Sequence, residues 1–279
     1  MKSESVGILY HPLKEEAYTL AKKLEELLIS QSLSVWLRSS WEWEKARPRP
    51  DGKDLILSVG GDGTILRAAQ VAIHSSTPII GINVGRLGFM TELTVDEVLG
   101  KLPALLEGEG WIDERSLLEA EVSLGDGQTP SLFWALNDVV VARGAVARLI
   151  NIEAIIDGEL LTIYRADGVI VATATGSTGY ALAAGGPIMH PQTKDFLLQP
   201  ILSHLSSYYS LVLPQASVVQ LNLSTTQSAT MSIDGHISLP LQSGANITVR
   251  HSLNTVRFLR IRSENSFYSS LEQRLKGKQ

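Results

Sequence analysis

The sequence predicts an α/β domain with a parallel sheet, followed by a β-rich domain and a closing helix. Three observations lead to this prediction. Up to about residue 107, short apolar runs alternate with stretches that have the spacing of amphipathic helices. From about residue 113 to residue 262, apolar residues mostly recur at every second position, which is typical of strands. Near the end of the chain the apolar residues return to helical spacing.

The first part of the chain predicts strands and helices in alternation. Residues 6–10, 35–37, 54–59 and 78–82 are short apolar stretches that predict strands. Residues 39–52 predict a loop, because two prolines keep this stretch out of a sheet interior. The helix after the first strand is expected to bury one apolar face, formed by Leu13, Ala17, Leu20, Leu24 and Leu27.

Capping and turn signals place several of the remaining elements. Thr94 and Glu97 have the spacing of a capping box at a helix start. Residues 157–158 and 234–235 are both Asp-Gly, which predicts tight turns between paired strands. Residues 255–262 predict a late strand.

The closing helix has an apolar stripe of Phe267, Leu271 and Leu275, which needs a surface to cover. We expect this helix to pack back on the first domain. The predicted domains are therefore residues 1–110 plus 263–279, which form the α/β domain, and residues 111–262, which form the β-rich domain.

Composition excludes several classes of function. The net charge of −5 and the isoelectric point near 5.7 argue against nucleic acid as the main partner. The chain has no cysteine, which excludes disulfides and thiolate metal sites. The first residues lack a signal-peptide core, and no apolar run approaches the roughly 20 residues that span a bilayer. We expect a soluble, cytoplasmic protein with no membrane partner.

Residues 60–64, Gly-Gly-Asp-Gly-Thr, lie between a predicted buried strand and a predicted helix. Open α/β sheets bind ligands at this position. Glycines leave backbone N–H groups bare, and such groups at a helix start bind phosphate, while Thr64 is placed to cap the helix. Asp62 beside a phosphate would need a metal ion or a substrate hydroxyl as its partner. The alternative is a tight turn in which Asp62 merely caps the next helix.

Residues 167–180 form a second cluster, in which a buried strand ends among hydroxyl-bearing residues and glycines. Small residues let a ligand approach the backbone, and hydroxyl groups suit ribose or phosphate oxygens. The alternative is a Ser/Thr-rich turn that caps a short helix at residues 180–184.

Several motifs, in the same order, resemble those of the NAD kinase family. Residues 60–64 match its Gly-Gly-Asp-Gly-Thr, which diacylglycerol-type lipid kinases and phosphofructokinases share more loosely. Residues 81–89 match Gly-Ile-Asn-x-Gly-x-Leu-Gly-Phe, and residues 167–180 are similar to the family's Asp-Gly segment ending in Gly-Ser-Thr-Ala-Tyr. Further matching segments are residues 136–138, 200–214 and 233–235. The resemblance spans residues 6–268.

This resemblance implies a phosphofructokinase- or diacylglycerol-kinase-like fold and transfer of a phosphoryl group to the 2′-hydroxyl of the adenosine ribose of NAD, which makes NADP. The donor would be ATP, another nucleoside triphosphate or polyphosphate, used with Mg²⁺ or another divalent metal. Asp62 would be the catalytic base. Donor phosphates would be bound by Gly60, Gly61, Gly63, Thr64 and Arg67. NAD would be bound by Asp62, Gly63, Phe89, Asn137, Asp138, Arg165, Asp167, Thr175, Thr178, Gly179, Tyr180, Ala183 and His236. No residue is assigned as a metal ligand.

Departures from the family pattern leave some roles open. Asp138 stands where Glu is frequent, His236 where Gln is usual, and residues 209–210 are Tyr-Ser where Arg-Pro is usual. Two rival functions are a lipid kinase, which would share the glycine turn, and a non-catalytic NAD-binding sensor. The resemblance also implies a homodimer or homotetramer formed through the β-rich domain.

Overall fold

The structure, a computed structural model, describes residues 5–46, 54–85, 88–125, 129–144, 148–201, 209–264 and 266–276. The chain divides into two units, residues 1–114 with 255–279 and residues 115–254. Both divisions fall inside long strands, Trp111–Ser123 and Asn246–Arg260.

The first unit contains a parallel sheet with helices, as predicted. The elements are β1 (Ser5–Tyr10), α1 (Glu15–Ser30), β2 (Ser34–Ser39), β3 (Asp54–Gly60), α2 (Asp62–Ala72), β4 (Ile79–Asn83), β5 (Leu93–Thr94) and α3 (Val95–Leu106). The strands of the sheet have the order β2-β1-β3-β4, and each neighbouring pair is parallel. The carboxyl ends of β1, β3 and β4 therefore lie at one edge of the sheet, where Tyr10 pairs with Val59 and Gly60 pairs with Asn83.

Most of the helix predictions hold in this unit. Thr94 and Glu97 form the predicted capping box at the start of α3. Leu13 is 72% exposed and is not part of the buried face, because α1 begins only at Glu15. The predicted loop at residues 39–52 contains a short 3₁₀ helix, Ser40–Lys45. The two prolines of that loop lie outside the described residues.

The second unit is built almost entirely of strands, as predicted. The elements are β6 (Trp111–Ser123), β7 (Ser131–Ala135), β8 (Asp138–Arg143), β9 (Ile150–Ile156), β10 (Glu159–Ala166), β11 (Gly168–Ala172), a short helix α4 (Tyr180–Ala183), β12 (Phe196–Ile201), β13 (Leu211–Leu213), β14 (Val218–Ser224), β15 (Ala229–Ile233), β16 (Ile237–Leu241) and β17 (Asn246–Arg260). The two divisions of the chain fall inside β6 and β17. One sheet has the strand order β13-β12-β11-β8-β15-β16. In a second sheet, neighbouring strands follow the order β10-β9-β14-β17, and β6 pairs with β7 and with β17.

Alternating side chains fill the core of the second unit. Val139 and Val141 of β8 pack into one hydrophobic cluster with Ile152 and Leu221, whereas Val140 points into another cluster. Both Asp-Gly pairs form the predicted turns, and all four residues have positive φ angles. Such angles match the twist of paired strands, which is why Asp-Gly is favoured there.

The closing helix, α5 (Ser266–Lys276), belongs to the first unit, as predicted. The apolar stripe of Phe267, Leu271 and Leu275 is partly buried. In the described part of the chain, no helix combines the length and the hydropathy needed to cross a bilayer.

Candidate active site

The carboxylate of Asp62 is held by the backbone of residues 88–90, which we call the 88–90 segment. Its Oδ2 accepts a hydrogen bond from the N–H of Phe89 at 2.9 Å, and its Oδ1 accepts one from the N–H of Met90 at 3.1 Å. The alternative that Asp62 caps its own helix does not hold, because both partners belong to another segment. A carboxylate has about four lone-pair sites, so Asp62 retains acceptor capacity for a hydroxyl group.

Gly88 allows this close approach. A Cβ atom at this position would lie 2.2 Å from Oδ1 and 2.6 Å from Cγ of Asp62. No side chain can therefore occupy this position while the Asp62 carboxylate keeps its place.

The three glycines of the turn differ in the space around them: Gly60 is closely packed, whereas Gly61 and Gly63 have open space at the Cβ position. A Cβ on Gly60 would lie 2.3 Å from Oγ1 of Thr64, whereas a Cβ on Gly61 or Gly63 would meet no atom of the described residues within 4 Å. The prediction that Thr64 caps the helix is wrong, because α2 begins at Asp62 and its N-cap is Gly61. Thr64 lies in the first turn and its N–H donates to Gly61 O at 2.9 Å.

Basic side chains lie close to the start of α2. Arg67 Nη1 donates to the carbonyl of Gly63 at 3.1 Å, and Lys14 Nζ donates to the carbonyl of Val84 at 2.6 Å. Burial lowers the pKa of His11, and the charges of Lys14 and Arg67 lower it further. Two cationic side chains, Arg67 and Lys14, therefore lie where a phosphate ligand at the glycine turn would gain from positive charge.

In the second unit, one carboxylate organises the turn before β8. Asp234 accepts hydrogen bonds from three consecutive N–H groups, those of Leu136 at 3.0 Å, Asn137 at 2.7 Å and Asp138 at 3.1 Å. Asp234 is 6% exposed, so these charge-assisted bonds are made away from water and fix the backbone of the turn.

The hydroxyl cluster packs directly against that turn. The hydroxyl of Thr173 donates to the carbonyl of Leu136 at 2.6 Å, and its N–H donates to the carbonyl of Asn137 at 2.9 Å. A Cβ on Gly176 would lie 2.1 Å from the same Asn137 oxygen. Asn137 Oδ1 is buried and accepts no hydrogen bond from the described residues, which leaves a polar atom available to a ligand.

Asp138 has an unusual protonation state for a carboxyl group. The residue is 5% exposed. Burial, and then the negative charge of Asp234, raises the pKa of Asp138 to about 7. Both protonation states are therefore populated near neutral pH, so the side chain can either donate or accept a hydrogen bond there.

We expect the substitution Asp138→Asn to raise the free energy of unfolding at pH 8 and to raise it by a smaller amount at pH 5. The folded-state pKa of about 7 lies above the unfolded value of about 4. Between these values the folded state binds a proton that the unfolded state has released, so the stability falls as the pH rises. The gain in free energy of unfolding on Asp138→Asn is at most about 4 kcal/mol, which corresponds to a pKa difference of about three units. Denaturant unfolding at both pH values measures it, with Asp96→Asn, at an exposed position, as the control. An identical pH dependence in wild type and Asp138→Asn would contradict the assignment.

A cavity of about 450 Å³ opens beside these groups. It is lined by Asn137, Asp138, Val140, Ala142, Tyr180, Thr230, Ser232, Asp234 and Gly235. Its volume lies in the range of small-molecule sites, and it combines apolar walls with a few polar groups, as such sites do.

The other residues of the second unit that are predicted to bind NAD do not line this cavity. Thr175 and Thr178 are buried, and each hydroxyl bonds within the protein, to Arg115 Nη1 at 3.2 Å and to Thr175 O at 3.2 Å respectively. Asp167 forms an ion pair of 2.5 Å with Arg143 Nε. A Cβ on Gly179 would lie 3.5 Å from Asn137 Nδ2. Arg165 and Ala183 are exposed, and His236 Nδ1 is 3.1 Å from Asp234 O.

Asp234, Lys14 and His11 are candidate site residues that sequence reasoning did not select. Asp234 was recognised only as a turn residue, although its motif is one of those that match the family. Lys14 and His11 follow the first strand, whose carboxyl end shares an edge with the glycine turn. The carboxyl ends of parallel strands lie at the same edge of a sheet, so both residues could have been selected from the sequence.

Comparison with family models gives two matches. The ATP-NAD kinase N-terminal domain matches residues 6–110, and the ATP-NAD kinase C-terminal domain matches residues 136–261.

Curated relatives are similar over almost the whole chain. An NAD kinase of Dehalococcoides mccartyi is 47% identical, with 98% of this chain and 96% of the relative covered. An NAD kinase of Chloroflexus aurantiacus is 40% identical, with coverages of 98% and 99%.

Two solved structures share the fold. An NAD kinase from Archaeoglobus fulgidus in complex with ATP has a TM-score of 0.75 and 26% identity, with 98% of this chain and 99% of that chain covered. Yeast NADH kinase in complex with NADH has a TM-score of 0.85 and 24% identity, with coverages of 99% and 88%.

Proposed function

The chain belongs to the NAD kinase family, and from this premise we propose that it transfers the terminal phosphoryl group of ATP to the 2′-hydroxyl of the adenosine ribose of NAD. It is a kinase, a phosphotransferase to an alcohol group. The observation that carries the proposal is the Asp62 carboxylate, which two backbone N–H groups hold at the start of α2 beside an open glycine turn.

Asp62 would accept the proton of the attacking hydroxyl. Phosphoryl transfer needs little covalent chemistry from the protein and depends on positioning and on neutralisation of charge. Asp62 is partly exposed, and its hydrogen bonds to the 88–90 segment fix the direction of its oxygens. A general base must reach its proton directly, and a carboxylate of fixed direction meets this need.

The donor phosphates would lie against Gly61 and Gly63, where the backbone is open, with Arg67 and Lys14 supplying positive charge. The packing of Gly60 against Thr64 supports a structural role for these two residues, which shape the turn. Polyphosphate or another triphosphate presents the same chemical groups and is an alternative donor.

The adenosine of the acceptor, NAD, would lie in the cavity of the second unit. Asn137 Oδ1 offers an unpaired acceptor for an adenine amino group, and Asp138 offers a carboxyl group for a donor or an acceptor. Tyr180 lines the cavity and is 47% exposed, so its ring gives a flat apolar face to a base or ribose.

A divalent ion such as Mg²⁺ would neutralise the charge of the donor phosphates. Among the described residues, no three His, Cys, Asp or Glu side chains lie close enough together to hold a metal ion. We propose that the ion enters with the ATP substrate, bound to the oxygens of its phosphate groups.

A coupled assay for NADP formation from NAD, ATP and Mg²⁺ tests the proposed function. Steady NADP production supports it. Binding of NAD without turnover would identify a sensor, and phosphorylation of diacylglycerol in place of NAD would identify a lipid kinase. Either outcome would refute the proposal.

We expect Asn137→Ala to weaken the use of NAD much more than the use of ATP. Loss of a buried polar contact costs about 1–3 kcal/mol in the complex, which corresponds to roughly 5- to 150-fold in kcat/KM for NAD. Gly61→Ala should weaken the use of ATP more than the use of NAD. Its added methyl group would meet no protein atom of the described residues and would contact only the bound donor. Kinetics with each substrate varied separately, beside melting curves, measure both effects. An Asn137→Ala enzyme with unchanged constants for NAD would refute the assignment.

We propose a cytoplasmic homodimer or homotetramer that associates through the second unit. Leu160 and Ile163 support this assembly, because both are 60% exposed on β10, the last strand in the order of its sheet. Exposed apolar side chains on such a strand favour association. Light scattering at micromolar concentration distinguishes an oligomer from a monomer of 30.3 kDa.

A further inference from the structure

Two arginines from the end of the chain bind the carbonyl groups of the 88–90 segment. Arg274 of α5 donates through Nη1 to the carbonyl of Gly88 at 3.0 Å and also to the carbonyl of Phe89. Arg260 of β17 donates through Nη1 to the carbonyl of Met90 at 2.7 Å. All three consecutive carbonyl groups thus have a cationic partner.

The same peptide groups hold Asp62 from their other side. The peptide that joins Gly88 to Phe89 offers its carbonyl to Arg274 and its N–H to Asp62. The next peptide, which joins Phe89 to Met90, does the same. Each of the two peptides therefore bridges a guanidinium and a carboxylate. Hydrogen bonds in such a chain polarise one another and are strengthened by the charges at both ends.

Arg260 gives this arrangement a rigid base. Its guanidinium pairs with Asp113 at 3.1 Å and with Glu92 at 3.3 Å, and these three side chains are 3–7% exposed. Met90 is thus fixed by a buried ion network, whereas the carbonyl groups of Gly88 and Phe89 accept hydrogen bonds from Arg274.

Attachment of α5 to the first unit does not by itself explain Arg274. The apolar stripe of Phe267, Leu271 and Leu275 already gives this helix a face to bury. The guanidinium of Arg274 is partly buried and its Nε has no hydrogen-bond partner among the described residues, which costs free energy. Burial lowers the pKa of Arg274, the charge of Arg260 lowers it further, and the negative charge of Asp62 raises it. The cation is therefore close enough to Asp62 to interact with its charge.

We propose that Arg274 is a positioning residue for phosphoryl transfer, which fixes the direction of the Asp62 carboxylate through the two peptide groups between them. The closing helix thereby completes the catalytic arrangement. This inference rests on the proposed function, in which Asp62 is the base. Arg274 itself contacts backbone carbonyls in this arrangement, so its removal changes the orientation of the base while the substrate contacts assigned above remain.

Steady-state kinetics of Arg274→Met and Arg274→Lys test the proposal. A misplaced catalytic group costs up to about 100-fold in rate, so Arg274→Met should lower kcat by roughly 10- to 100-fold and leave KM for NAD and ATP within about twofold. Lysine keeps the charge but lacks the planar fork of arginine, and Arg274→Lys should recover part of kcat. Lys276→Met is the matched control, because Lys276 lies on the same helix in an exposed ion pair with Glu272. It should leave kcat unchanged.

A double-mutant cycle separates positioning from general support of the fold. In an Asp62→Asn background, Arg274→Met should cause little further loss of kcat, because the base that it positions is already absent. If Arg274→Met lowers the folded fraction, Arg274→Lys completes the same cycle. Additive losses, a kcat within threefold of wild type, or a rise in KM at constant kcat would each overturn the proposal.

Hydrogen exchange separates failure of this inference from failure of the proposed function. If the wild type makes no NADP, the proposed function fails, and the bridging peptides are then tested on their own. Arg274→Met should speed exchange of the Phe89 and Met90 amides, and Lys276→Met should not. Unchanged exchange at both amides would overturn the bridge whether or not the enzyme turns over.

Discussion

Asp62→Asn is expected to lower kcat by about 10²- to 10⁴-fold, the usual contribution of a general base. The amide keeps one oxygen for the 88–90 segment, but its NH₂ group faces a backbone N–H where a carboxylate oxygen now accepts. The variant should therefore fold and bind NAD, with a loss of stability of about 1–3 kcal/mol. NADP formation under saturating substrates, beside a melting curve, measures both effects.

The matched control for this variant is Asp96→Asn. Asp96 is also an acidic residue in the first turn of a helix, but it is exposed on α3. Asn replaces Asp at helix starts at little cost, so this control should keep full activity. An Asp62→Asn enzyme that turns over at nearly the wild-type rate would mean that the base is another group.

Gly88→Ala should be the second most damaging change, although it adds only a methyl group. The new Cβ would lie 2.2 Å from Oδ1 of Asp62, so either the carboxylate or the 88–90 segment must move. A displacement of about 1 Å at a catalytic group can cost about 100-fold in rate, and we expect a loss of kcat of this size. Initial-rate kinetics at saturating NAD and ATP measure it.

Gly100→Ala provides the control for the added methyl group. Gly100 lies within α3, and a Cβ there would meet no described atom within 4 Å. Alanine in a helix interior is favoured over glycine by roughly 0.5–1 kcal/mol, so this variant should be slightly more stable and fully active. Equal activity of the Gly88→Ala and Gly100→Ala enzymes would show that the Asp62 carboxylate tolerates displacement.

Elements that depend on neighbouring residues could be predicted from the sequence. The strand, glycine turn and helix around residues 54–72 follow from a short apolar run and helical spacing, and the capping box at Thr94 and Glu97 follows from two residues three positions apart. The Asp-Gly turns follow from a local backbone requirement. Leu13 was misassigned because spacing alone does not show where a helix begins.

Contacts between distant residues could not be predicted in this way. Asp62 bonds to backbone groups 27 and 28 positions away, and Asp234 bonds to groups 96 to 98 positions away. Backbone donors carry no side-chain signature, so no motif marks Phe89 or Met90 as partners of Asp62. The raised pKa of Asp138 likewise results from burial and from Asp234, which only the folded chain brings together.

The hydrogen bonds of Asp234 have a consequence for the synthesis of the protein. They close a loop of about a hundred residues onto the turn before β8, with sequence separations of 96 to 98. A chain still on the ribosome that ends before residue 234 lacks the carboxylate that fixes this turn. The side chains of Asn137 and Asp138 therefore gain their final geometry only late in translation, after strand β15 has emerged. In the proposed function, the adenosine site is therefore completed only after most of the chain has been made.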